Sequence, residues 1–77
     1  MHEYYKQVHE DALDTLRKLT GQDVEDSLDD VRKAVHYVKC HGTRLQACYA
    51  KEAWFDFMWS MHEIKAQEAE AKMAAAK

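Results

Sequence analysis

The chain has 77 residues, 14 acidic against 11 Lys and Arg, and a formal net charge of −3. That length holds one small domain with a modest core. It carries no proline, two glycines and two cysteines, which exclude a disulfide framework and disfavour a turn-rich β fold. The net acidity gives no broad basic surface, so no direct nucleic-acid binding is expected.

Three helices fit the pattern, at about 3–19, 24–40 and 43–74. In the first, Tyr5, Val8, Ala12, Leu16 and Leu19 recur at three- and four-residue steps. Arg17 and Lys18 suit its C-terminal end, and Gly21 supplies the left-handed stop. The second begins between Asp23 and Ser27, with Ser27 as a cap and Asp29 and Asp30 in the first turn. Its stripe is Val24, Leu28, Val31, Val35 and Val38, and it ends at His41-Gly42. The third opens on Thr43-Arg44-Leu45-Gln46, a capping-box pattern. No breaker follows Gly42, so this helix runs on for roughly 50 Å.

The third helix is the unusual one. Ala50, Trp54, Phe57, Met61 and Ile64 fall on one side of its wheel, and Leu45, Cys48, Phe55 and Trp59 on the other. A helix apolar on both sides must be covered on both, and two shorter helices cannot do that. Trp54 and Phe57 are assigned to the core. Leu45, Cys48, Tyr49, Phe55 and Trp59 are the expected partner or oligomer interface, aromatics being frequent interface anchors. The tail KAQEAEAKMAAAK reads as a solvated helix, with Ala66, Ala69, Met73 and Ala76 as a small-residue seam in a sharper reading.

Other sites are thin. His36 and Cys40 share a helix face and would make half of a zinc site; His41 and Cys48 are nearby in sequence but point elsewhere, so the thiols are expected to be free and no metal is assigned. The carboxylates of residues 23–30 read as a solvated helix start, although they would also suit docking to a basic partner. Aromatic walls near Arg44, Lys51 or His62 would suit a flat, nucleotide-like anion between helices. There is no glycine-rich phosphate loop, nucleophile elbow or HExxH. His9 beside Glu10 and Asp11, and His62 beside Glu63, read as ordinary surface groups.

The expectation is an all-α three-helix bundle spanning 1–77, with a C-terminal helical hairpin and a long last helix. It should pair with itself as a homodimer or higher oligomer and bind a larger host protein. No cofactor, membrane association or catalysis is expected, and the absence of a signal-like N-terminus points to the cytoplasm. The leading function is a protein-binding inhibitor, adaptor or accessory subunit. Small acidic chains without motifs are common among phage and mobile-element proteins, an analogy of size and composition only. The alternative is an oligomer that sequesters a small nucleotide-like ligand between helices.

Overall fold

The computed structural model describes residues 4–75 and is all-helical, with no strand among them. Helix α1 is Tyr4–Thr20, α2 is Leu28–His41 and α3 is Arg44–Ala75. The ends follow from local chemistry. Gly21 closes α1 at φ 67°, its N–H donating to the Arg17 carbonyl at 2.8 Å. Ser27 caps α2, its hydroxyl accepting from the Asp30 N–H. At the α2–α3 turn, a Cβ on Gly42 would lie 2.7 Å from the Val38 carbonyl oxygen, so only glycine turns there without displacing the helix end. The capping box then forms in both directions: Thr43 Oγ1 accepts from the Gln46 N–H at 3.1 Å, and Gln46 Oε1 from the Thr43 N–H at 2.8 Å.

The topology is not a simple up-down-up bundle. The tight turn makes α2 antiparallel to α3. Helix α1 is antiparallel to α3 as well: His9 meets Ser60 and Phe57, whereas Ala12 and Thr15 lie beside Tyr49 and Ala53. Helices α1 and α2 therefore run in the same direction, and residues 21–27 form a strap that returns along α1 to start the second helix at its lower end. Here the expected boundary is corrected. Helix α2 begins at Leu28 rather than at 24, because the chain must first travel back along α1. Val24 is buried as expected, but from the strap. Its carbonyl accepts from Arg17 Nε at 3.2 Å and Nη2 at 3.0 Å, which pins the strap to α1.

The core is built from Ala12, Leu13 and Leu16 of α1, Val31, Val35 and Val38 of α2, and Ala50, Ala53 and Phe57 of α3. Trp54, Met58 and Met61 pack at its margin, half-buried. So Phe57 is core as expected, and Trp54 only partly.

His9 corrects the surface assignment. The residue is 6% exposed. The ring stacks on Phe57 with centroids 4.7 Å apart. Nε2 donates to Asp26 Oδ1 at 2.7 Å, and Nδ1 lies 2.9 Å from Ser60 Oγ. A buried imidazole needs partners for both nitrogens, and here the strap supplies one and α3 the other.

Candidate functional site

The face of α3 opposite the core is uncovered. At roughly 100° per residue, Cys48 and Trp59 lie nearly opposite Phe57 on the helix, and Leu45 about 120° from it. Leu45 is 62% exposed, Tyr49 49%, Phe55 59% and Trp59 47%. Cys48 is exposed beside them. The predicted interface residues thus share one outward arc, with Tyr49 on its α1 edge and Phe55 on its α2 edge. Tyr4 joins from the start of α1, its ring edge-on to Trp59 at 6.3 Å. Isolated exposed apolar groups are ordinary; here several large ones share one helix face.

The helix also outreaches its companions. It has 32 residues against 17 and 14, and the molecule is 51 Å long but only 23 by 16 Å across. Every one of residues 65–75 is exposed. Ala66, Ala69 and Met73 of the small-residue seam lie there, exposed; Ala76 lies outside the described residues.

Three other places were candidates. Between α2 and α3 lies an open groove of about 380 Å³. Arg32, His36 and Lys39 line one side, and Lys51, Trp54 and Phe55 the other, with Val35 between them. No carboxylate lines it, and Arg32, Lys39 and Lys51 make no ion pair among the described residues. Of the three cations expected near an aromatic wall, Lys51 is there; Arg44 and His62 are not, and α2 supplies the others.

His36 and Cys40, the weak candidates for half of a zinc site, do meet, Cys40 Sγ lying 3.5 Å from His36 Nε2. Both groups are exposed, and no third ligand joins them: no cluster of three or more metal-ligating side chains exists among the described residues. Cys48 projects from another face of the molecule. Neither cysteine is in a disulfide.

The third place went unnoticed in the sequence. Ser60, His9 and Asp26 stand in the order of a nucleophile relay, with contacts of 2.9 and 2.7 Å. Yet Ser60 is fully buried, and its hydroxyl donates back to the Asp56 carbonyl at 2.8 Å, with the Phe57 carbonyl at 3.0 Å. No substrate atom reaches Oγ, and the trio ties α1, strap and α3 together. Of the carboxylates at 23–30, Asp26 holds His9, whereas Asp23, Glu25 and Asp29 are exposed and Asp30 is half-buried in the first turn of α2.

No helix among the described residues is long and apolar enough to cross a membrane. Comparison with protein-family models, curated proteins and solved structures finds no match for this chain.

Proposed function

We propose that this chain is a small non-enzymatic protein-binding module, acting as an inhibitor, adaptor or accessory subunit through the outward face of α3. The observation that carries this reading is the row of Leu45, Phe55 and Trp59, left in water on the side of α3 turned away from a well-packed core. Such residues act as anchors when a facing helix or groove removes them from solvent. Phe55→Ala with Trp59→Ala, both outside the core cluster, removes the anchors. Affinity purification from native lysate with the wild type and this double variant in parallel tests the reading. A stoichiometric protein, or a second copy, held by the wild type and lost with the variant is the expected result. Identical recovery with both chains, at unchanged far-ultraviolet circular dichroism, would overturn it.

A second reading has its own observation. The α2–α3 groove holds unpaired cations beside an indole, in a chain of net negative charge. Its volume lies within the range of small-molecule sites. A nucleotide would stack its base on Trp54 or Phe55 and place phosphate among Arg32, Lys39 and Lys51. Titration with ADP is expected to quench tryptophan fluorescence, and Arg32→Gln with Lys39→Gln to weaken binding at least about tenfold. Equal binding of inorganic phosphate would show a general anion patch instead.

A further inference from the structure

The outward face of α3 repeats every seven residues. Counting from Leu45, alternating steps of three and four reach Cys48, Glu52, Phe55, Trp59 and His62, then Ala66, Ala69 and Met73 along the protruding end. All nine are exposed. This is the a/d spacing of a coiled-coil seam. It runs the full length of the helix, and it joins the aromatic face to the small residues of the tail.

The residues flanking the seam are sorted by charge. The g positions, on the α2 side, are Arg44, Lys51, Met58, Lys65 and Lys72. The e positions, on the α1 side, are Tyr49, Asp56, Glu63 and Glu70. Within the described α3, every charged g residue is basic and every charged e residue is acidic. In a parallel pair, g of one helix faces e of the other, five residues further on; in an antiparallel pair, g faces g and e faces e. Only the parallel arrangement of two identical chains sets opposite charges against each other.

We infer that the partner on this face is a second copy of this chain, and that the two α3 helices pair in parallel along the whole seam. This rests on the reading of α3 as a docking surface, and names its occupant and direction. Lys51 then faces the partner's Asp56, and Lys65 faces the partner's Glu70. In a parallel pair each polar seam residue also faces its own copy, so Glu52 meets the partner's Glu52 and His62 the partner's His62, and the flanking charges of opposite sign offset these layers only in part. Glu52, at an a position, inserts beside the partner's Lys51. His62, at a d position, inserts beside the partner's Glu63. A polar group in the seam lowers stability and fixes register. The cores of the α1 and α2 bodies lie on the far side of α3 from the seam, although Tyr4 of α1 reaches Trp59 and α2 borders Phe55, so the pairing is open along the seam and bounded at those two edges. The seven-residue repeat drifts by about 20° per heptad on a straight helix, so the pair winds into a left-handed supercoil.

Two measurements on purified protein test the inference. The first is association. Sedimentation equilibrium should give a dimer at concentrations of tens of micromolar. A chain with Lys51→Glu, Lys65→Glu and Lys72→Glu should be monomeric, as should one with Asp56→Lys, Glu63→Lys and Glu70→Lys. All six sites lie outside the core cluster. Mixing the two chains should restore dimerisation, which also shows that each remained folded. The second is direction. In a parallel pair Cys48 faces its own copy across a d layer, so mild oxidation of a Cys40→Ser protein should yield a disulfide-linked dimer. Spin labels at Met73→Cys, in a Cys40→Ser and Cys48→Ser background, should lie within about 25 Å of each other. An antiparallel pair centred near Trp59 would hold them roughly 40 Å apart. A long distance, charge reversals without effect, or a wild-type monomer at about 500 µM would overturn the inference. A monomer that still loses a lysate partner on Phe55→Ala with Trp59→Ala would overturn the second copy as occupant and leave the docking surface standing.

Discussion

The Ser60 oxygen takes part in three short contacts at once, with the Asp56 and Phe57 carbonyls and with His9 Nδ1. Replacing it by alanine creates almost no cavity, yet it removes the partner of a buried ring nitrogen. Leaving such a group unsatisfied costs about 1–3 kcal/mol. Ser60→Ala is therefore expected to lower stability by that amount, read as a shift in the urea midpoint at constant slope. Asp26→Asn should cost less, because its side chain is 59% exposed and the amide oxygen still accepts from Nε2. If Ser60→Ala left the midpoint unchanged, the latch would be an incidental contact. This site was hard to read from sequence because histidine and serine are ordinarily surface residues. A signal was present nonetheless. His9 lies one turn before Leu13, and Ser60 three residues after Phe57; each therefore occupies a core position on its helix. Two polar residues at core positions of different helices call for one another.

Helix ends were legible because their determinants are local. Gly21, Ser27 and the Thr43–Gln46 pair each act within three or four residues. The start of α2 was misplaced for a reason that is equally physical. Val24 stands four residues before Leu28 and fits the helical stripe, and a buried valine in a strap has the same spacing as one on a helix. What separates the two is the Arg17 side chain, whose two nitrogens reach the Val24 carbonyl across the strap. Arg17→Met keeps the aliphatic stem and removes both hydrogen bonds to Val24, together with the exposed Arg17–Asp14 ion pair. A loss of about 1–2 kcal/mol is expected, with faster amide exchange in residues 22–26 than in the middle of α2. Unchanged exchange in the strap would mean that Val24 burial alone holds it. On α3, the aromatic face was visible in the sequence, but its continuity with the tail was not. Alanines between charges look like an ordinary solvated helix until the geometry shows that nothing covers the segment.

At the scale of the whole molecule, two short helices lie on one side of a rod and leave its other side and its end free. The 51 Å length comes from α3 alone, since 32 residues at 1.5 Å rise account for roughly 48 Å. The same arrangement dictates an order of assembly. Helices α2 and α3 are adjacent in the chain and joined by a short turn, so their hairpin closes through nearby contacts. The contact that seats α1, His9 with Ser60, spans 51 positions. Contacts between distant positions form late, because the intervening loop must close before they contribute. Of the three helices, α1 is thus expected to dock last. Until Ser60 has been made, His9 Nδ1 lacks the hydroxyl that holds it in the finished fold.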